Sequence, residues 1–396
     1  MRSQLHTALA AAIVVTFLLV QPVRTETATG KDALEGLFAA ETVNRNSFAP
    51  DFLAKISAEQ VTQIIAGLKR DNGPLLGVDD ADGGFVLRFG HARIPARISL
   101  DPNGRIAGLW FGLAQAEGDT DTFLTAIKAL PGRSSLLITT DGQPVAAHEA
   151  TTPLAVGSAA KLAVLLALKR AVAQKRLAWD TVVKLDPIWK SLPSGMLQEW
   201  PDGTPLTLAT LAHLMMSISD NTATDALIRI VGRDAIAAIS PRNTPFLTTR
   251  ELFSLKTKEN APLRIEWRNG DPVHRQAILD RIDDTALPSA DAISPAATAE
   301  VEWFMTAQEL CDLLDATADL PSAGINAGPV DRKDWQSVAY KGGSEVGVLN
   351  LSSRLTDKAG RVSCVVATWN GDGPLDEGKL ISLYRGIIAR LAGRQN

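Results

Sequence analysis

The chain has 396 residues, 45% of them hydrophobic and 21% charged, enough apolar material for two globular domains with real cores. A net charge of −4, with no Lys/Arg run interleaved with aromatics, leaves no electrostatic footprint for a nucleic-acid partner. Five scattered histidines (His6, His91, His148, His213, His274) and two cysteines form no metal-ligand spacing, so neither metal nor cofactor is expected.

The N-terminus reads as an export signal. Arg2 and His6 precede an apolar run, Ala8 to Val20, shorter than the about twenty residues a membrane span requires. A signal peptide over residues 1–25 predicts a periplasmic or secreted protein with no stable membrane span. Residues 30–115 read as a small α+β domain, cone-like as in steroid-isomerase or cystatin folds. Helical periodicity marks 32–41 and 58–69, with Ser57 as the cap of the second helix. Strand-like runs follow at 84–89, 93–100 and 105–111, the last two joined by the turn Asp101-Pro102-Asn103-Gly104. His91 and the acidic turn Asp79-Asp80-Asp82 read as solvated surface, and residues 113–120 as a linker.

Residues 119–394 carry a second pattern. A helix over 122–130 precedes a hairpin of 134–140 and 143–148, which turns at Asp141-Gly142. Thr207 is a good cap for a helix carrying Leu208, Leu211, Ala212 and Met215 at helical spacing, and another helix starts near Thr222. Strands at 346–353 and 361–369 and an amphipathic helix at 377–391 close the chain. The expected fold is α+β, a sandwich whose antiparallel sheet is assembled from both ends of this segment. Cys311, in a helical stretch, and Cys364, in a strand, read as two buried free thiols, with a bridge between them, which export would permit, as the alternative. The polar stretch 256–299 reads as a loop over 264–272 and a helix from His274 to Asp284, forming a lid or a surface decoration. Its Trp267 either packs or lines a pocket.

The chemistry centres on Ser158-Ala159-Ala160-Lys161, which opens an apolar helix. Residues at i and i+3 share a helix face, placing the Lys161 amine within reach of the Ser158 hydroxyl. Serine needs a base to become a nucleophile, and a lysine serves only when burial or a second cation lowers its pKa. Neither a G-x-S-x-G elbow nor a Gly-rich phosphate loop is present.

Two further motifs follow in order: Ser219-Asp220-Asn221 and Lys341-Gly342-Gly343. The set, whose first two serines stand 219 − 158 = 61 positions apart, resembles class A β-lactamases and penicillin-binding proteins. Leu206-Thr207-Leu208, Met215-Met216-Ser217-Ile218 and, more weakly, Ser194-Gly195-Met196-Leu197-Gln198 are similar to the family's flanking text. The N-terminal unit makes the whole resemble the two-domain β-lactamase-like proteins of clavam biosynthesis clusters. The resemblance implies that Ser158 is acylated and Lys161 takes its proton. It implies an oxyanion hole from the N–H groups of Ser158 and Ser344, and substrate binding by Asn221, Gly343 and Ser344. Ser219 would relay a proton, Lys341 would lower the Lys161 pKa, and Asp220 would cap a helix.

Two departures stand out. The third motif usually carries a hydroxyl residue where Gly342 stands, and Ser344, of the same strand parity, is its candidate replacement. The deacylating glutamate has one candidate at a plausible distance, Glu251, 251 − 221 = 30 residues beyond Asn221. Its context, Thr248-Thr249-Arg250-Glu251-Leu252, equally reads as the first turn of a helix. Three activities stay open: an exported β-lactamase, an esterase or D,D-peptidase-like amidase, and a penicillin-binding sensor that stays acylated. Each would be a monomer acting on a small molecule.

Overall fold

The computed structural model describes residues 26–192, 194–282, 286–293 and 301–393; the expected signal segment 1–25 lies outside them. Among the described residues no helix is long and apolar enough to cross a membrane. The chain divides into two compact units, one running up to Phe123 and resuming at Asp376, the other spanning Leu124–Leu375.

The first unit sets α1 (Glu26–Ala39), α2 (Pro50–Leu53) and α3 (Ala58–Asn72) with the antiparallel meander β1 (Leu75–Ala81), β2 (Gly84–Phe89), β3 (Ala92–Leu100) and β4 (Ile106–Phe111). Period-2 burial turns Phe85, Leu87 and Phe89 of β2 and Ile94 and Ala96 of β3 inward, onto Leu34, Leu37 and Phe38 of α1. Ser57 and Gln60 form the capping box that starts α3. Two expectations fail here. Asp79 and Asp80 lie on strand β1, where Asp79 accepts from Arg88 at 2.7 Å, and are not a loop. Two residues of the supposed linker form β5 (Gln115–Ala116), which pairs with β3.

The second unit begins within α4 (Thr120–Lys128) and carries a five-stranded antiparallel sheet. Its strands are β6 (Arg133–Thr140) and β7 (Gln143–His148) from one end of the segment, and β12 (Ser337–Glu345), β13 (Val348–Thr356) and β14 (Val362–Asn370) from the other. The spatial order is β12-β13-β14-β6-β7. Between these ends run β8 (Leu154–Ala155), α5 (Lys161–Ala173), β9 (Val182–Lys184), β10 (Pro205–Thr207), α6 (Leu208–Ser217), α7 (Asn221–Val231) and α8 (Arg233–Ala237). Then follow α9 (Thr249–Leu255), α10 (Ala261–Asn269), α11 (Pro272–Ile282), β11 (Phe304–Met305), α12 (Ala307–Thr317) and α13 (Pro321–Gly324). α14 (Glu377–Leu391) belongs to the first unit. The helix-and-sheet sandwich expected for the β-lactamase and transpeptidase class is thus the architecture observed.

α5 is apolar on nearly every side and correspondingly buried, with α6, α7 and α12 around it. α12 lies on β13 and β14, and brings Cys311 to a Cα–Cα distance of 5.9 Å from Cys364, where the two form a disulfide. The reading of two free thiols is therefore wrong. Helix-on-sheet packing decided a proximity that no local signal encodes. The stretch read as a loop over 264–272 is also mostly helical, as α10.

The excursion from α8 to β11 is closed at its neck by one side chain. Asn243 accepts from the Phe304 N–H at 2.8 Å and donates to the Phe304 carbonyl at 3.0 Å, as a neighbouring strand would. β11 in turn pairs antiparallel with β8, just ahead of Ser158.

Candidate active site

Three backbone features bring the motifs together. Gly157, at φ +50°, turns the chain out of β8 into a 3-10 turn, Gly157–Ala160, that presents Ser158 half-buried and leads into α5. α6 stops at Ser217, and Ser219 adopts φ +59°, a left-handed conformation that costs a non-glycine residue about 1–3 kcal/mol. Asp220 then caps α7 by accepting from Ala223 N at 2.8 Å, the structural role expected of it. Its other oxygen accepts from Met196 N (2.7 Å) and Leu197 N (3.0 Å), stitching the Ser194–Leu197 loop to the second motif. Gly195, at φ +98°, sits against Asp220 with no room for a side chain.

The third feature is the contact of β12 with the serine turn. A Cβ on Gly343 would overlap the Val156 carbonyl and come within 2.6 Å of Ser158 N and 3.0 Å of Ala159 N. Gly157 in turn lies against Gly343 and the Ser344 nitrogen. The backbones carrying both expected oxyanion donors are therefore held side by side by two residues without side chains.

Ser219 is the hub. The Lys161 ammonium donates to Ser219 O (2.5 Å), Ser219 Oγ (3.0 Å) and Asn221 Oδ1 (2.7 Å). Lys341 Nζ donates to the same Ser219 Oγ (3.1 Å) and to its neighbour's carbonyl, Gly342 O (2.6 Å). Ser194 Oγ donates to Ser219 O at 2.6 Å, and Asn221 Nδ2 to Leu192 O at 2.8 Å. The structure thus unites Lys161, Ser219, Asn221 and Lys341, and places Ser158 and Ser344 beside them. It differs from expectation in one respect: all three donors of Lys161 point to the second motif, and Ser158 is not among its acceptors.

Both amines are buried, and burial dominates their electrostatics. It pushes Lys161 down to about 7, against Asp225, Asp220 and Glu345, which raise it. Lys341 is held well below the usual lysine range, first by burial and then by the Lys161 charge.

Glu251 is not poised over the serine turn as a free base. It completes a capping box, with Thr248 N donating to Oε2 at 2.7 Å, and Arg233 forks onto both of its oxygens. The helix-start reading of its context is the one realised. Glu266 is a partly exposed surface acid paired with Arg281.

Three side chains had no assigned role in the sequence: Tyr340, Asp225 and Lys256. The Tyr340 hydroxyl fills the space where a side chain at 342 would begin, and Gly328 leaves room for its ring. Tyr340 shares a strand face with Gly342 by period-2 alternation, a signal that was available. Asp225, buried one helical turn past Asn221, accepts from Thr249 N (2.6 Å) and Arg250 N (2.9 Å) and so ties α9 to α7. Burial raises its carboxyl to about 7. Lys256, at the end of α9, is shared between Glu302 (2.5 Å) and Glu345, the residue after Ser344.

Comparison with known proteins matches residues 121–270 to a family described as "Beta-lactamase enzyme family". No curated protein matches the chain. Among solved structures, it is similar to a β-lactamase from Sphaerobacter thermophilus DSM 20745, at 22% identity over 69% of this chain and 97% of that one, with a TM-score of 0.49. A class A β-lactamase representative from Bacteroides cellulosilyticus DSM 14838 aligns at 14% identity over 69% and 94%, TM-score 0.47. A mutant of PBP-A, as an acyl-enzyme complex with penicillin G, aligns at 14% over 69% and 95%, TM-score 0.45.

Proposed function

We propose that this chain is an exported serine hydrolase of the β-lactamase and penicillin-binding-protein superfamily, acylated on Ser158 by β-lactams or by related amides and esters. The observation that carries this reading is the shared Ser219 hydroxyl, held by both buried lysines beside a serine turn clamped on Gly343.

In this reading neutral Lys161 takes the Ser158 proton, directly or through water, as Oγ adds to the carbonyl carbon. The negative charge gathers on the carbonyl oxygen, facing the N–H groups of Ser158 and Ser344. The C–N bond then breaks, and the Ser219 hydroxyl protonates the leaving nitrogen while recovering a proton from the Lys161 ammonium. Tyr340 supplies the hydroxyl that Gly342 lacks, for the substrate's carboxylate. Tyr340→Phe then raises KM for carboxylate-bearing β-lactams about tenfold with little change in kcat, the size of one hydrogen bond to a charged group.

The test is to mix the protein with a fluorescent penicillin and with nitrocefin, following covalent label and turnover. Label or turnover that disappears in Ser158→Ala supports the reading; neither signal with any β-lactam or simple ester overturns it. One observation favours a second outcome within the same chemistry. With Glu251 engaged by Arg233 and Thr248, it is not free to activate a deacylating water, and a penicillin-binding sensor would show label without turnover. The small α+β unit, of steroid-isomerase-like or cystatin-like form in this reading, accompanies the hydrolase as a separate domain.

A further inference from the structure

Outside the catalytic cluster, the second unit contains a cavity of about 300 Å³. None of Ser158, Lys161, Ser219, Asn221, Lys341 and Ser344 lines it. Its walls include Arg242, Arg268 and Arg275 together with Trp267, Trp303 and Phe304. The size lies at the lower end for small-molecule sites, suiting a one- or two-ring compound and excluding a folded peptide.

The chemistry of the walls is specific. Arg275 is prearranged: its guanidinium lies 5.2 Å over the Trp267 ring and its Nε donates to the Trp267 carbonyl at 2.9 Å. Its terminal nitrogens have no hydrogen-bond acceptor among the described residues. Arg242 has only an exposed, 3.2 Å pairing with Glu309. Among the described residues the one wall carboxylate, Glu302, is already bound to Lys256 at 2.5 Å, which leaves Arg242 and Arg275 to set the sign of the cavity.

We infer that this cavity is a binding site for a small planar monoanion, an aryl carboxylate, distinct from the acylation site. The ring lies against Trp267, Trp303 and Phe304, and the Arg242 and Arg275 guanidinium groups receive the carboxylate. The site adjoins both supports of the oxyanion donors. The Trp303 carbonyl accepts from Val156 N (3.0 Å), two residues before Ser158, and Glu302 reaches Glu345, next to Ser344, through Lys256. The inference stands on the cavity alone and does not depend on acylation of Ser158.

The experiment titrates the full-length mature protein with sodium benzoate, benzamide and benzylammonium, followed by calorimetry and indole fluorescence. Benzoate should saturate one site, with benzamide and benzylammonium weaker by roughly tenfold or more, the effect of losing a charge-assisted hydrogen bond. Arg275→Met and the exposed-site variant Arg268→Met should each weaken benzoate, whereas Lys341→Met, which removes a cation from the acylation site, should leave its affinity unchanged. Absence of saturable binding, equal binding of benzamide, or loss in Lys341→Met with retention in both arginine variants would overturn the assignment.

Discussion

Two clusters in the second unit bury lysines, and they use them in opposite ways. Around Ser219, Lys161 and Lys341 donate only to hydroxyl, amide and carbonyl oxygens, and burial lowers both pKa values. At the end of α9, Lys256 is equally buried, yet Glu302 and Glu345 outweigh burial and hold its pKa above the ordinary value. Burial alone therefore does not make a base. The number of carboxylates within hydrogen-bond distance decides whether a buried lysine is poised to lose a proton or is a brace. The two uses meet on one strand, since Lys341 and Glu345 both lie on β12.

Removing each lysine separates the roles most sharply. Lys161→Met should lower the rate of Ser158 acylation about 10²–10⁴-fold, the range for a lost general base, in a stopped-flow labelling assay. Its thermal stability should stay equal or rise, because a charge that is costly to bury has gone. Lys256→Met should do the converse, costing about 3–5 kcal/mol in denaturant unfolding by leaving buried Glu302 and half-buried Glu345 without their cation. A stable Lys256→Met variant would break the comparison.

Gly343→Ala probes the strand between the clusters. Its Cβ would displace Ser158 from Ser344, and kcat/KM should fall about hundredfold, as for a misplacement near 1 Å, with the sandwich intact by circular dichroism. The smallest effect is the pH dependence. Acylation should rise as pH increases through about 7, where Lys161 becomes neutral, and level off above it. The stability sign follows from the same shift. With the folded pKa near 7 and the ordinary value at 10.5, the unfolded chain holds more protons between them, so the penalty from Lys161 is full below 7 and relieved on rising to 10.5. The stability gap between wild type and Lys161→Met should therefore narrow over that window.

Much of the site was legible because its signals are local. Thr207 and Ser57 cap the helices expected of them, and Asp220 caps α7, each by a bond spanning three residues. The Asp141-Gly142 turn shows positive φ at both residues, as a tight hairpin requires. What escaped is non-local. Strand β1 is an edge strand on which only Val78 is fully buried, so no alternating apolar pattern marks it. The partners of Glu251 and the Cys311–Cys364 bridge depend on elements brought together by packing. Gly342 looked like a defect in the third motif until the Tyr340 hydroxyl was found occupying that space.

The clasp of Asn243 on Phe304 has an evolutionary consequence. Because the ends of the excursion 244–303 meet at Asn243 and Phe304, its length can change without parting β11 from β8. It behaves as a replaceable cassette, through which relatives of one catalytic core could acquire different neighbourhoods. The exchange carries conditions: a substitute must bring a cation to the place of Lys256, or Glu345 loses it one residue from Ser344, and must still offer donors to Asp225 and an acceptor to Val156 N.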